Sequence, residues 1–337
     1  MKIIFTICSN NYLAQAKALG DSVLLTNPTY KFFIGLVDQL SSDINYSEDI
    51  GHPIILCSEI GIPDFDSLWK KFNIIELNTC VKPFYFEYFT KNYSELTYLM
   101  YFDPDTFVFG DLNEIESELT FENEILVTPH ILTPLPLDGK SPAENLFLNY
   151  GIYNLGFLAV KNPKNNTDFF KWWGERTYNQ GFVNVEQGFF VDQLWINLIP
   201  IYNDNVIVSK HYGLNMAPWN LHERFLSKNL GQKWIVNENT NLIFYHFSSF
   251  YYNKPDNIAS SYGRYSFSTR KDLINLYSEY RNVLLKNNVD KISKLVCGYV
   301  EMRNEILRCV VNKKDEQFSE PNLTTRIKKK IANFFKR

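Results

Sequence analysis

Three uninterrupted apolar runs constrain most strongly how this chain folds. Residues 2–8 (Lys-Ile-Ile-Phe-Thr-Ile-Cys), 32–37 (Phe-Phe-Ile-Gly-Leu-Val) and 96–102 (Leu-Thr-Tyr-Leu-Met-Tyr-Phe) are too continuous for strands with one wet face. Strands buried on both faces read this way, and they belong to parallel sheets covered by helices. Between the first two runs, residues 12–25 carry apolar residues at helical spacing and stop at Asn27-Pro28. Strand, helix and strand in this order begin an open α/β sheet. The same reasoning places a short strand at 54–57, an amphipathic helix at 79–91, strands near 124–128, 153–160 and 242–246, and helices at 166–179 and 188–198. Residues 270–311 read as two helices, and the polar stretch 312–322, with Pro321, reads as a linker. The expected division is an α/β domain over 1–265, a helical extension over 266–311, and a linker and tail over 312–337.

Composition narrows the function classes. The chain has 337 residues, 45% of them hydrophobic, enough for one large domain or two small ones. A net charge of −3 argues against a protein that coats nucleic acid. The five cysteines are widely spaced and form no CxxC, so neither a disulfide framework nor a zinc site is expected. The opening apolar run is too short for a signal peptide, and no run approaches the roughly 20 residues that span a bilayer. A cytoplasmic protein is the expectation.

The third apolar run leads into Asp103-Pro104-Asp105. In open α/β sheets ligands bind beyond the carboxyl ends of strands. Two carboxylates there can hold a hard divalent ion, which in turn holds a diphosphate; the plain alternative is a solvated turn. Three later segments bear on the choice. Asn154-Leu-Gly156 precedes an apolar strand, where glycine admits close backbone approach and asparagine can bond a sugar hydroxyl. Asp192-Gln193 stands at the head of an apolar stretch, where an acid also suits a helix N-terminus. His246 ends the apolar run that begins at Leu242, where an isolated histidine is ordinarily a buried structural one.

The order and spacing of these four segments resemble the GT-A glycosyltransferases, especially glycosyltransferase family 8 and the bacterial lipooligosaccharide galactosyltransferases, over roughly residues 1–250. The resemblance implies a Rossmann-like mixed α/β sheet flanked by helices. It implies that Asp103, Asp105 and His246 bind Mn2+ (or Mg2+), and that Asn154, Gly156, Asp192 and Gln193 surround the donor sugar, with Asn154, Asp192 and Gln193 at the reacting centre. Asn154 and Asp192 would orient donor hydroxyls, and the Gln193 amide oxygen would give electrostatic support near the anomeric carbon. The loop after the first strand and the end of the second would hold the nucleoside, through Thr6, Cys8, Ser9, Asn10, Asn11 and Asp38, with Tyr12 either stacking on the base or, as a helix-opening aromatic, joining the core. Pro104 would lie against the nucleotide, and Lys82 either near the phosphates or in solvent. The implied reaction moves a sugar from a nucleotide-sugar donor, a UDP-sugar foremost, to a glycan or glycolipid acceptor of bacterial surface polysaccharide, with retention of anomeric configuration.

The chain departs from the family where a His-x-x-Gly-x-x-Lys stretch is usual: Ser249 replaces the glycine, and Lys254 comes two residues late. The segment around His130 and the pair Trp172-Trp173 are not family 8 hallmarks; they resemble a bacterial GT-A branch linked to surface polysaccharide. His130 reads as facing the acceptor or as capping a proline-rich loop. A nucleotidyltransferase is a rival reading, although residues 8–20 lack its Gly-rich basic signature. A non-catalytic sugar-binding protein is another, motivated by 21 Tyr and 6 Trp. Residues 326–337 contain six basic residues and no acid, and Ile327, Ile331, Phe334 and Phe335 share one helical face. Such a helix suits an anionic membrane surface, and implies peripheral attachment to the inner face of the cytoplasmic membrane; the plain alternatives are a solvated tail and a helix docked on the acidic body.

Overall fold

The computed structural model describes residues 1–317. Its strands are β1 (Lys2–Cys8), β2 (Tyr30–Leu36), β3 (Ile54–Leu56), β4 (Tyr98–Phe102), β5 (Thr106–Val108), β6 (Ile125–Val127), β7 (Phe157–Lys161), β8 (Val183–Asn184), β9 (Phe189–Phe190), β10 (Val206–Val208), β11 (Leu226–Lys228), β12 (Trp234–Val236), β13 (Thr240–Asn241) and β14 (Phe244–His246). Its helices are α1 (Leu13–Thr26), α2 (Phe65–Lys71), α3 (Ile74–Cys80), α4 (Lys82–Asn92), α5 (Asn113–Glu118), α6 (Glu144–Tyr150), α7 (Thr167–Gln180), α8 (Ile199–Tyr202), α9 (Ile274–Lys286), α10 (Val289–Ile292) and α11 (Gly298–Gln317).

Seven strands form the central sheet in the order β10-β6-β7-β4-β1-β2-β3. All neighbours run parallel except β7, which is antiparallel to both β4 and β6. The chain steps from β1 outward to β2 and β3, then returns to the other side of β1 as β4. Beyond the carboxyl ends of β1 and β4 this reversal leaves a crevice, the place where open α/β sheets bind ligands.

Alternation along β1 divides the core. Ile3, Phe5 and Ile7 pack with the aromatic layer of α4 and α7, including Tyr85, Phe86, Phe170 and Trp173. Ile4 and Cys8 face the other layer, where α1 supplies Leu13, Leu19 and Val23 and α9 supplies Leu276, Tyr277 and Tyr280. The helices beyond residue 265 therefore share a core with the sheet. Among the described residues, no helix is long and apolar enough to cross a membrane.

Several expectations are corrected. The helix expected over 79–91 is two, α3 and α4, joined at Val81. Asn73 and Glu76 form a capping box that starts α3 early, and Pro83 sits in the first turn of α4, where its missing N–H costs nothing. The helix expected over 188–198 is instead the ribbon strand β9, paired with β8, then Asp192-Gln193 and a 3-10 turn over Leu194–Leu198. Its apolar run is short, and periodicity alone does not separate strand from helix there. The 153–160 strand begins only at Phe157, leaving Asn154 and Gly156 in the loop before it. Residues 270–311 hold α9, α10 and most of α11 rather than two helices, and α11 runs to Gln317, so no linker begins at 312. The basic tail at 326–337 lies outside the described residues.

Trp173 ties fold to site. It is fully buried, stacks on Phe169 at 5.6 Å, and donates its indole N–H to the Asp192 carbonyl at 3.2 Å. Trp173→Ala should lower stability by about 3–5 kcal/mol in urea denaturation, the range for large-to-small core substitutions.

Candidate functional site

One strand pairing creates the site. β14 runs antiparallel to β5 with His246 opposite Thr106, and the Phe247 amide donates to the Asp105 carbonyl at 2.8 Å. This register brings the His246 imidazole beside the two carboxylates at the end of β4. His246 Nε2 lies 3.0 Å from Asp105 and 3.7 Å from Asp103. One ligand atom from each of the three residues falls within 4.8 Å of the others. Gly156 makes room: a Cβ there would collide with the His246 ring. Its carbonyl accepts from the Asp103 amide at 2.7 Å. Burial disfavours a charged His246, but Asp105 and Asp103 outweigh it and hold the pKa above the ordinary value.

Two carboxylates and an imidazole form a mixed oxygen and nitrogen set that suits a divalent ion, and His246 Nδ1 is buried without a partner among the described residues. The Tyr101 hydroxyl donates to Asp103 and fixes that carboxylate.

Two cavities meet at Asp103 and Asp105. The smaller, about 250 Å³, is lined by Cys8, Ser9, Asn11 and Tyr12 after β1, and by Ile75, Asn78 and Thr79 on α3. Pro104 also lines it. Sequence reasoning missed the α3 side, which carries no recognisable motif. Thr6, Asn10 and Asp38, expected at the nucleoside, line neither cavity. Thr6 is fully buried within β1. The Asp38 carboxylate accepts backbone amides from Asn10 (3.1 Å), Gln39 (2.8 Å) and Gly298 (2.7 Å), and so fastens α11 to the sheet. Asn10 bonds the Gln39 carbonyl and the Tyr46 hydroxyl. These three residues shape the groove from behind.

The larger cavity, about 670 Å³, holds the remaining motif residues and His246. Lys82 is buried there, which corrects the solvated reading. Its ammonium lies 2.6 Å from Asp192, donates to the Leu155 carbonyl at 2.8 Å, and sits 4.3 Å from the Tyr101 ring centroid. Burial pushes the Asp192 carboxyl upward, and Lys82 opposes that rise.

Asn154 and Gln193 also line this cavity, but their hydrogen-bonding capacity is largely taken. Asn154 Oδ1 accepts from the Gly156 amide (3.2 Å) and Asn215 Nδ2 (3.0 Å), while its Nδ2 contacts His130 Nε2 (3.3 Å) and Gln193 Oε1 (3.4 Å). Gln193 Oε1 accepts additionally from the Leu155 amide at 3.0 Å, and its Nε2 donates to the Tyr150 carbonyl at 2.8 Å. Asn154 has no free valence for a sugar hydroxyl, and the Gln193 oxygen is occupied. Both hold the 154–156 loop against Asp103 and His246. Trp219 lines the cavity and the buried Asn215 supports Asn154 from behind; neither gave a sequence signal.

His130 lines the same wall. Its Nδ1 faces the Ile152 carbonyl at 3.1 Å, an acceptor only, so Nδ1 carries the proton and Nε2 accepts from Asn154. The ring stacks on Phe147 and meets Trp219 edge-on. Neither nitrogen is free for proton transfer. Ser249 takes φ +58°, a conformation that favours glycine, while Lys254 lines neither cavity.

No protein-family model matches the chain. Over 174 residues it is 28% identical to the uncharacterized protein YfnF of Bacillus subtilis (strain 168), covering 50% of this chain and 55% of that protein. Over 176 residues it is 26% identical to the uncharacterized protein YfnD of the same organism, covering 50% and 52%. The match thus spans about half the length of these curated relatives. Among solved structures, the galactosyltransferase LgtC, in complex with donor and acceptor sugar analogues, superposes with a TM-score of 0.50 at 16% identity, over 90% of this chain and all of that one. The glycosyltransferase GlyE of Streptococcus pneumoniae TIGR4 aligns at 17% identity and TM-score 0.44, over 88% of this chain and 66% of that one. The fold is that of the GT-A transferases.

Burial pushes the His130 pKa from 6.5 down to about 4, with the hydrogen bond to Ile152 opposing the fall. The unfolded chain therefore takes up this proton before the folded one does. The associated stability is complete above pH 6.5 and is lost as pH falls toward 4, totalling roughly 3 kcal/mol. His130→Phe should flatten this part of the curve, measured as urea midpoints at about pH 7 and about pH 4.5.

Proposed function

We propose that the chain is a metal-dependent glycosyltransferase that moves a sugar from a UDP-sugar to a glycan acceptor in bacterial surface polysaccharide synthesis. The observation that carries this reading is the Asp103, Asp105 and His246 cluster at the switch point of a GT-A sheet, where a nucleoside-sized groove meets a larger polar cleft. The neighbour LgtC carries donor and acceptor sugar analogues in a fold of this kind.

The nucleoside occupies the smaller groove, with Tyr12 against the base. Asp103, Asp105 and His246 would hold Mn2+ (or Mg2+), and an ion there would supply positive charge against the diphosphate of the donor. Tyr101 orients the Asp103 carboxylate. The donor sugar lies over Asp192 and Lys82, the charged groups of the cleft floor that are not metal ligands. In the transfer, the bond from the anomeric carbon to the diphosphate oxygen breaks and a bond to the acceptor oxygen forms. The acceptor proton passes to the leaving phosphate oxygen.

Retention is the favoured stereochemistry. The carboxylates lining the larger cleft are Asp103, Asp105 and Asp192. Two belong to the metal cluster, and the third is paired with Lys82 at 2.6 Å. Both His130 nitrogens are engaged. An inverting reaction needs an unpaired general base facing the acceptor, and these groups do not supply one. NMR of the first-formed product should show the donor's anomeric configuration; an inverted linkage contradicts the assignment.

Asp105→Asn should abolish Mn2+-dependent UDP binding in calorimetry while circular dichroism stays native. Undiminished metal-dependent affinity contradicts the cluster's role.

The basic segment 326–337 supports attachment to an anionic membrane, as a lipid-linked acceptor requires. The full chain should sediment with anionic vesicles and be released by salt, whereas a chain ending at Thr325 should stay in solution. Equal sedimentation of both rules out the anchor.

A further inference from the structure

We propose that residues 131–143 form a fixed strap walling the acceptor end of the cleft, that Arg264 is the positioning residue holding it, and that this end takes a pyranose through its C–H face. The inference rests on the glycosyltransferase reading above and concerns a part of the site that the four sequence motifs leave unassigned.

The strap is irregular throughout, between the Pro129↔Tyr153 bridge and α6. Irregular segments of this length are uncommon in compact domains unless they serve a function. Side chains pin it along its length. At its start, Glu223 accepts from the Leu132 amide (3.0 Å), the Thr133 amide (2.6 Å) and the Thr133 hydroxyl (2.8 Å). Midway, Glu144 accepts from the Leu135 amide at 2.9 Å. At its end, the Arg264 guanidinium donates to Asp138 (2.8 Å), to the Lys140 carbonyl (3.0 Å) and twice to the Pro142 carbonyl (3.0 and 3.3 Å). The Arg264 side chain is only 4% exposed, and every partner of its guanidinium lies on the strap. A buried planar fork with several carbonyl partners fixes geometry in a way that a lysine cannot.

Position gives the strap its role. Pro142 lines the larger cavity together with Leu146, Phe147, Tyr150 and Tyr262, and none of these lines the nucleoside groove. Tyr262 lies two residues from Arg264, so the strap and the facing loop are tied at one point. Asp103 and Asp105 line both cavities, whereas Pro142 and Tyr262 line only the larger one. With the donor sugar over Asp192 and Lys82, the Pro142–Tyr262 end is left for the acceptor. Its aromatic and proline walls match the apolar face of a sugar ring, with hydroxyls directed to the polar floor.

The test compares the full chain with Arg264→Gln. Trypsin cleavage after Lys140, on the strap, should accelerate about tenfold in the variant, as the segment opens locally. Calorimetric affinity for UDP with Mn2+ and the slow release of UDP to water should stay within about twofold, because neither uses this wall. Methyl glycopyranosides serve as acceptor probes. At least one should raise UDP release by the native chain, and in the variant its KM should rise about tenfold with kcat little changed. Asp138→Ala, which removes one partner at a part-exposed position, should shift the same readouts in the same direction and serves if Arg264→Gln does not fold.

Unchanged cleavage after Lys140 overturns the fastening role. A loss of UDP affinity equal to the loss of transfer overturns the assignment to the acceptor end. If no methyl glycoside raises UDP release by a native chain that hydrolyses its donor, the pyranose assignment falls. If the native chain neither binds UDP with Mn2+ nor hydrolyses any UDP-sugar, the glycosyltransferase reading fails, and trypsin cleavage still decides whether Arg264 holds the strap.

Discussion

The pairing of β5 with β14 is the contact on which the site depends. Asp103 and Asp105 owe their place to β4, a buried strand whose position is set early in the sheet. His246 comes from a distant part of the chain and reaches them only because Phe244–His246 runs antiparallel to Thr106–Val108, in a register that puts the imidazole beside Asp105. A slip of one residue would turn His246 to the opposite face. The register is held by the Phe247 amide on the Asp105 carbonyl, by the His246 amide on the Met216 carbonyl, and by the space that Gly156 leaves for the ring.

Around that contact the protein buries a cluster of polar groups joined by local hydrogen bonds. Asn154, Gln193, Asn215 and His130 share one network, and Lys82 pairs with Asp192 at full burial. Burying such groups is costly when they are unpaired and about neutral when their bonds are complete, so the network contributes geometry more than stability. It also separates two kinds of residue within the family-like motifs. Asp103, Asp105, Asp192 and His246 face the cleft with capacity to spare, whereas Asn154 and Gln193 are committed to holding the backbone in place.

How much of this could be read from sequence follows from where the determining contacts lie. β1, β2 and β4 were legible because strands buried on both faces are continuous apolar runs. The carboxylate pair was legible because it ends one of them. The 188–198 segment misled because its apolar residues fit a strand, a 3-10 turn and a helix equally well over so short a span. Lys82 looked like a surface residue because its partner Asp192 lies far away in the chain, and nothing local marks either as buried. The same holds for Asp38, whose carboxylate fastens the start of α11, and for Asn215 and Trp219, which acquire meaning only once β14 is in place. Ser249 is the instructive intermediate case: the departure from glycine was visible, and the backbone nevertheless keeps the left-handed conformation that glycine would favour.

The central claim is that Asp103, Asp105 and His246 together hold a divalent ion beside a nucleoside diphosphate. Anomalous diffraction from crystals grown with Mn2+ and UDP tests it most directly. The account predicts one strong manganese peak bounded by these three side chains, with the diphosphate against it and the base in the groove beside Tyr12. A manganese peak elsewhere, or UDP bound in the groove with no metal at the triad, would contradict it.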